Sequence, residues 1–323
     1  MTRLLRNAAL MFGALLSTLS ASDAAAQAKV LCVYDPSGAA GDAYQYAKDY
    51  QTAAIAWGVT FEPKPYTSET VAAADFRNGK CDAVILTGVR VQQFNRKTYS
   101  VEAIGALPTQ AATATAVKTL MKEKAASLMK SGDYETAGIF PAGAVYLFLR
   151  DRKVTDVAAL AGKKICTLDY DDAAKGMVLH VGATLEPADI GTFASKFNNG
   201  SCDAAYAPAS AYKPLELYKG IGTAGGIVSF PLAQFTFQIV LRTASFPEGF
   251  GQKSRDWTST RFDSAMAVAA RAEQDVPAST WITIPDADHV KYVDMLDAVR
   301  TSLVGKGQYD ATIVKLLEQI AAQ

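Results

Sequence analysis

The fold is decided by two stretches, KVLCVY (29–34) with FRNGKCDAVIL (76–86), and KKICTLDY (163–170) with FNNGSCDAAYAP (197–208). In each, a short apolar segment carries one cysteine, and Asn-Gly-x-Cys-Asp-Ala precedes a second apolar segment. Short, continuously apolar runs are typical of strands buried in a parallel sheet. Gly79 and Gly200 predict helix ends, where a residue at positive φ is favoured. The chain therefore contains an approximate two-fold repeat of a strand–helix–strand unit.

The N-terminus predicts export. Arg3 and Arg6 precede an apolar stretch at residues 8–19, and Ala26-Gln27-Ala28 forms a small-x-small cleavage site. This stretch is shorter than the roughly 20 residues that span a bilayer, which favours a cleaved signal peptide over a membrane anchor. We expect a signal peptide at residues 1–28, cleavage after Ala28 and a mature protein in the periplasm.

The composition is that of a neutral globular protein. The 323 residues include 32 basic and 32 acidic side chains, and half of all residues are hydrophobic. A chain without a basic surplus lacks the electrostatic signature of nucleic-acid binding, so no nucleic-acid partner is expected. The high apolar content argues against intrinsic disorder.

The repeat suggests how the four cysteines pair. Neighbouring parallel strands would bring Cys32 near Cys81 and Cys166 near Cys202, and an even cysteine count in an exported protein is typical of disulfides. We predict these two bridges, one in each half. Four buried free thiols are the alternative. A metal site is not expected, because no Cys-x-x-Cys spacing or histidine cluster accompanies the cysteines.

Strand and helix patterns alternate along the chain, which predicts an α/β fold with parallel strands and right-handed crossovers. We predict two lobes joined by a hinge and clamped by C-terminal helices. Lobe 1 comprises residues 29–143 and a returning segment at about 232–262. Lobe 2 comprises residues 144–231 and the C-terminal helices at about 263–323. One helical region is predicted over residues 111–135. Ligands bind beyond the carboxyl ends of such strands, so the predicted site is the cleft between the lobes.

Loops after the strands supply the candidate ligand-binding residues. They are Tyr34, Asp35, Ser37, Thr87 and Arg90 in lobe 1, and Asp169, Tyr170, Asp171, Pro208 and Ser210 in lobe 2, with Arg150 as a fallback. Arg90 is the first candidate for binding an acid, because a guanidinium gives a carboxylate two charge-assisted hydrogen bonds. A surface or hinge salt bridge is the alternative role of Arg90. For Asp169 and Asp171, helix N-capping is the alternative to contact with a polar or cationic ligand.

Several of these segments resemble TRAP-type (DctP-like) periplasmic solute-binding proteins. VTDVAALAGKKI (154–165) is similar to a segment of that family's second lobe, and the Asn-Gly-x-Cys-Asp-Ala pattern is similar to its Gly-x-x-Asp strand entry. CVYDPSGAAGD (32–42), AGIFPAGAVYLFLRDR (137–152) and AYKPLELYKGIGTAGGIV (211–228) resemble a subgroup of solute-binding proteins that also carries the label RND-type efflux component.

The resemblance implies a type II two-lobe binding protein that captures a small organic acid and delivers it to subunits of a TRAP-type or related membrane transporter. The chain departs from the family at one position. The family's carboxylate-binding arginine follows Lys-Ile, where this chain has Cys166 after Lys164 and Ile165. We therefore expect the small-molecule ligand to be a carboxylate that is larger and partly apolar.

Patterns typical of catalysis are missing from the sequence. It has two histidines, His180 and His289, without metal-binding spacing, and it has no Gly-x-Ser-x-Gly motif. Residues 220–225 match Gly-x-Gly-x-x-Gly, but no strand precedes them and no helix follows. We expect no enzyme activity, no cofactor and no metal. The alternative function is that of a periplasmic interaction protein in an efflux or lipid-transport system.

Overall fold

Strands and helices alternate in the computed structural model, which describes residues 28–323. The strands are β1 (Lys29–Tyr34), β2 (Phe61–Tyr66), β3 (Ala83–Thr87), β4 (Lys130–Ser131), β5 (Tyr134–Leu149), β6 (Lys164–Leu168), β7 (Thr184–Ala188), β8 (Ala204–Pro208), β9 (Gly226–Val228), β10 (Ala233–Arg242) and β11 (Trp281–Ile282). The helices are α1 (Asp42–Ile55), α2 (Glu69–Arg77), α3 (Gly88–Val91), α4 (Arg96–Tyr99), α5 (Gln110–Leu120), α6 (Asp172–His180), α7 (Ile190–Asn198), α8 (Tyr218–Ile221), α9 (Phe250–Gln274), α10 (Asp286–Gly305) and α11 (Ala311–Ala321). Apart from Ala28, the predicted signal peptide lies outside these residues.

The strands form one mixed sheet whose main path runs β2-β1-β3-β10-β5-β8-β6-β7. Two parallel triplets, β2-β1-β3 and β8-β6-β7, occupy its two ends. Between them, β10 and β5 pair antiparallel with each other, with β10 also pairing β3 and β5 also pairing β8. The 16-residue β5 therefore belongs to both halves. This architecture confirms the predicted α/β fold class.

The two triplets repeat each other in detail. In the first, the Asp82 carboxylate accepts a hydrogen bond from Val30 N, and in the second, the Asp203 carboxylate accepts one from Lys164 N. Val30 and Lys164 each lie two residues before a cysteine. Both predicted disulfides are present, with Cα–Cα distances of 5.9 Å for Cys32–Cys81 and 5.5 Å for Cys166–Cys202. These bridges confirm the pairing that the repeat predicts.

The hydrophobic core lies on both faces of the sheet. Alternate strand residues point to opposite faces. Accordingly, Leu31 and Ile85 pack in one cluster with helix residues such as Tyr50, whereas Cys32 and Val84 pack in another. Because both faces are covered, the strands carry the near-continuous apolar runs seen in the sequence.

The prediction of a helical region over residues 111–135 is wrong beyond Leu120. Helix α5 ends there, and β4 pairs antiparallel with the start of β5. Gly132, at φ 55°, lies in the turn between these strands, where a residue that tolerates positive φ is required. The side chains of 121–130 are compatible with a helix, but pairing with β5 overrides this local preference.

The C-terminal helices contact both halves of the molecule. Helix α9 packs along β5, α10 packs on α6, and α11 packs on α5. The exact division into two lobes stays a prediction, since these helices and the two central strands are shared. Within residues 28–323, no helix has the length and apolar character needed to cross a membrane.

We expect the disulfides to contribute strongly to stability. Replacing Cys32 and Cys81 together by serine should lower the free energy of unfolding by about 4 kcal/mol, because the bridge closes a loop with a sequence separation of 49. Urea unfolding of oxidised protein measures this change. The corresponding Cys166 and Cys202 double variant should behave similarly, and an unchanged unfolding midpoint in both would contradict the assignment.

Candidate ligand-binding site

A cavity of about 400 Å³ lies between the two halves. Its walls include the last residues of four strands, namely Tyr34 of β1, Thr87 of β3, Leu168 of β6 and Pro208 of β8. This is the edge where parallel sheets place their ligands, because the loops after the strands diverge there. Eight of the eleven predicted residues line the cavity: Tyr34, Asp35, Ser37, Thr87, Tyr170, Asp171, Pro208 and Ser210. Their role in ligand binding stays a prediction.

The loop after β1 is held by the buried carboxylate of Asp35. Its oxygens accept hydrogen bonds from Ser37 N at 2.8 Å and from Ala43 N at 2.9 Å, so Asp35 caps the first turn of α1. A side chain at Gly41 would overlap this carboxylate, which explains the glycine before the helix. This arrangement brings the start of α1 to the cavity wall.

Asp171 performs the corresponding task in the second half. Its carboxylate accepts hydrogen bonds from Ala174 N and from the Tyr206 hydroxyl, both at 2.9 Å, and it is the N-cap of α6. Burial raises the pKa of Asp171 above its ordinary value, and the hydrogen bonds from Ala174 and Tyr206 oppose this rise. Asp171 therefore caps a helix and also lines the cavity.

Glu102 is a cavity residue that the sequence reasoning missed. It is 4% exposed, and one of its oxygens, Oε1, accepts hydrogen bonds from Thr236 N at 2.6 Å and Thr236 Oγ1 at 2.7 Å. Burial raises the pKa of Glu102 to about 8, and hydrogen bonds from Thr236 oppose the rise. The signal in the sequence was its isolation, since Glu102 is the single charged residue between Lys97 and Lys118.

Aromatic side chains form much of the remaining wall. They are Tyr34, Tyr99, Tyr170, Phe193, Tyr206, Phe235, Phe237 and Tyr309. Tyr99 and Tyr309 pack together with ring centroids 5.3 Å apart, and Phe235 packs against Phe237 at 5.5 Å. Such rings provide apolar area together with electron-rich faces.

Charge in the cavity has one sign. The residues that line it include the acidic side chains Asp35, Asp42, Glu102 and Asp171, and none of these lining residues is lysine, arginine or histidine. The cavity therefore combines aromatic walls with carboxyl groups.

Arg90, the first candidate for binding an acid, does not line the cavity. Its guanidinium lies 3.4 Å from the centroid of the Tyr170 ring, and its Nε lies 3.5 Å from a carboxylate oxygen of Glu69. Glu69 is completely buried and also accepts hydrogen bonds from Thr87 N and the Tyr170 hydroxyl. Burial raises the pKa of Glu69, while the positive charge of Arg90 opposes the rise. The salt bridge that was the alternative role of Arg90 is thus present.

These contacts form a seam between the halves. The Tyr170 hydroxyl donates to Glu69 at 3.1 Å, and Gln92 Nε2 donates to the backbone oxygen of Tyr170 at 2.6 Å. Nearby, the Thr70 hydroxyl donates to the Asp189 carboxylate at 3.1 Å. Every bond joins the half that holds β1 to the half that holds β6, so the seam holds the cavity closed along one side.

Arg150 and Asp169 also lie away from the cavity. Arg150 Nη1 donates to the backbone oxygens of Phe197 and Gly220, and Arg242 makes the equivalent bond to Phe76 in the other repeat. Each arginine thus binds the C-terminal carbonyls of a repeat helix, where a cation is favourable. Asp169 is exposed.

Two α/β halves that share a sheet and enclose a cavity at their strand ends define a two-lobe solute-binding protein. A family model described as "Solute-binding protein AdeT 1/2" matches residues 53–323. The chain belongs to this family. It is 40% identical over 288 residues to "Probable solute-binding protein AdeT1" of Acinetobacter baumannii, an alignment that covers 89% of this chain and 95% of the relative.

Solved structures of TRAP periplasmic solute-binding proteins have the same fold. A protein from Desulfovibrio salexigens with bound orotic acid matches with a TM-score of 0.75 and 13% identity, covering 91% of this chain and 98% of its own. A protein from Xanthobacter autotrophicus with bound β-D-galacturonate matches with a TM-score of 0.73 and 14% identity, covering 90% and 99%. The predicted resemblance to TRAP-type binding proteins is confirmed at the level of the fold, and the family model shows that the chain is a solute-binding protein.

The seam predicts a measurable stability difference between two tyrosines. Tyr170→Phe should lower the free energy of unfolding by about 1–3 kcal/mol, because it removes the hydroxyl that binds buried Glu69. Tyr218→Phe is the matched control, since its hydroxyl donates to the exposed Glu216 and should contribute less than about 0.5 kcal/mol. Equally small effects in denaturant unfolding would show that the seam is not formed in solution.

The buried Glu102 predicts a pH effect. With its pKa raised, the folded protein retains a proton that the unfolded chain releases above about pH 4.5, so ligand-free protein should lose stability between pH 5 and 8. Compared with the Glu102→Gln variant, the unaltered protein should lose up to about 1.4 kcal/mol of its free energy of unfolding for each unit that the pH rises. Glu69 and Asp171, whose pKa values are also raised, are present in both proteins, so the difference between the two curves reports the Glu102 proton together with its coupling to them. Parallel stability–pH curves would contradict this assignment.

Proposed function

We propose that the chain is a periplasmic binding protein that captures a small organic solute between its lobes and delivers it to a TRAP-type or related membrane transporter. The observation that carries this proposal is the cavity at the strand ends, enclosed by both halves and closed on one side by the Glu69–Tyr170 seam. Its volume lies in the range of sites for small-molecule ligands. The family description and the predicted signal peptide support the same function.

We also propose that the protein binds its solute without transforming it. Three of the four carboxyl groups described in the cavity have structural hydrogen bonds: Asp35 and Asp171 cap helices, and Glu102 is bonded to Thr236. Opening the seam would let the solute leave unchanged. The cavity between the lobes favours capture of a small solute over the alternative of an interaction protein in an efflux or lipid-transport system.

An organic acid is the ligand class suggested by the fold neighbours, which hold orotic acid and galacturonate. If this chain binds an acid, the anchor is a group other than Arg90 or Arg150, because neither guanidinium lines the cavity. The remaining hydrogen-bond donors of the wall are its tyrosine, serine and threonine hydroxyls, its backbone amides and the protonated form of the Glu102 carboxyl group.

A thermal-shift panel tests the function. Mature protein is unfolded and refolded with its disulfides intact to remove carried solute, then tested with organic acids, amines, amino acids and sugars. A ligand at 100 times its Kd stabilises by about 2.7 kcal/mol, which corresponds to a rise of roughly 5–10 °C in Tm. We expect one chemical class to produce such a shift.

A cavity-filling substitution locates the binding site. Ala211→Phe places a ring in the cavity wall and should abolish the shift. Ala159→Phe is the control, because Ala159 is exposed and, like Ala211, lies in a short 3-10 turn. A flat panel for the unaltered protein, or full binding by Ala211→Phe, would refute the proposed function or its location.

A further inference from the structure

The carboxyl groups of the cavity lack a basic partner on its walls. Asp35, Glu102 and Asp171 are all buried, and within residues 28–323 the lining includes no lysine, arginine or histidine. Burying the negative charge of a ligand there would cost free energy, because no opposite charge on the lining compensates for the lost hydration. The chemistry of the walls therefore disfavours an anion.

The arginine that was the first candidate for binding an acid is already engaged in other contacts. Arg90 is paired with Glu69 and stacked on Tyr170, with a third contact from its Nη2 to Thr70 at 3.1 Å. At position 166, where the TRAP family has its carboxylate-binding arginine, Cys166 is buried and bound to Cys202. Neither position leaves a guanidinium free to meet a ligand.

Glu102 and Asp171 bring negative charge to the cavity from its two halves. Both side chains are buried and line the same cavity, so their ionised forms would repel each other in a site of low dielectric constant. Among the described residues, hydrogen-bond donors reach only one oxygen of Glu102, which leaves Oε2 available. A cation between the two carboxyl groups would satisfy Oε2 and remove the repulsion.

The aromatic walls suit the same kind of ligand. Rings attract a cation through their electron-rich faces, and the attraction is strongest where water is excluded. Tyr99 and Tyr309 pack together with ring centroids 5.3 Å apart, and they line the same cavity as the two carboxyl groups. Phe235 and Phe237 provide apolar area for the rest of a ligand.

We propose that the cavity binds an organic cation, an ammonium group on an apolar or aromatic skeleton, with its nitrogen held between Glu102 and Asp171 and against the rings of Tyr99 and Tyr309. This inference rests on the proposed solute-binding function and specifies its ligand class. The organic acid suggested by the fold neighbours is the competing class.

Binding of a cation should also depend on pH. The cation favours ionised Glu102, so binding releases a proton, and affinity should rise by about tenfold or more between pH 6 and 9. The other titratable groups that act on Glu102 are Asp171, Glu69, Tyr99 and Tyr309. None of them is a base whose protonation would reverse the sign.

Three probes that share one skeleton test the proposal: 3-phenylpropylamine, 3-phenylpropanol and 3-phenylpropionate. The amine is an ammonium ion up to about pH 9. In calorimetry at pH 8, we expect it to bind about tenfold or more tightly than the alcohol, and the acid to bind most weakly. The Glu102→Gln substitution should lower the affinity for the amine by roughly tenfold and change the affinity for the alcohol by less than about threefold. It should also remove the pH dependence of amine binding. Glu62→Gln, an exposed carboxylate on β2, is the matched control and should change nothing.

The following results would overturn the proposal that the cavity binds an organic cation. Tighter binding of the acid than of the amine, or an amine affinity that Glu102→Gln leaves unchanged, would exclude the cation. If the only binders in the broader panel are anions or sugars, the cation is excluded while the solute-binding function stands. If no compound of either set stabilises the protein, the solute-binding function itself fails.

Discussion

The antiparallel pairing of β5 with β10 at the centre of the sheet is the constraint on which the rest of the structure depends. Both parallel triplets attach to these two strands, so the position of each half is fixed by backbone hydrogen bonds. The register of the pair shifts between Phe235 and Thr236, beside the cavity. Such irregularities re-aim side chains next to functional sites. Here Thr236 binds Glu102 and Phe235 lines the cavity, so the strands that join the halves also build the site.

Electrostatics divides the cleft into a seam and a cavity. At the seam, Arg90 neutralises the buried Glu69, and Tyr170 completes the hydrogen bonding of that carboxylate. In the cavity, Glu102 and Asp171 have no such neighbour among the lining residues. A buried carboxyl group without a counter-ion retains its proton to higher pH, and it favours any ligand that brings a positive charge. The fold is shared with TRAP proteins that hold acids, but ligand preference is set by the side chains on it.

The sequence predicted the features that local patterns encode. The repeated Asn-Gly-x-Cys-Asp-Ala pattern identified both disulfides, because the cysteine occupies the same position in two equivalent strand–helix–strand units. Most of the residues predicted from strand ends line the cavity, since the site of a parallel sheet follows from its topology. The β4–β5 hairpin was missed because its pairing depends on residues distant from the apparent helix before it.

The site chemistry was harder to predict because it depends on contacts between distant segments. Arg90 follows a strand as a ligand-binding residue would, but its partner Glu69 lies on a different element and was not singled out. Glu102 lies in a short turn after α4, and Tyr309 comes from the link between α10 and α11. Neither segment has a periodic pattern, so only the three-dimensional fold shows that both residues reach the cavity.

A crystal structure of the protein with its bound solute tests the central claim most directly. The account predicts electron density for an organic molecule inside the cavity, with a positively charged nitrogen within hydrogen-bond distance of Glu102 and Asp171 and the rest against the aromatic wall. A carboxylate at that position, or a solute bound elsewhere with water filling the cavity, would contradict it.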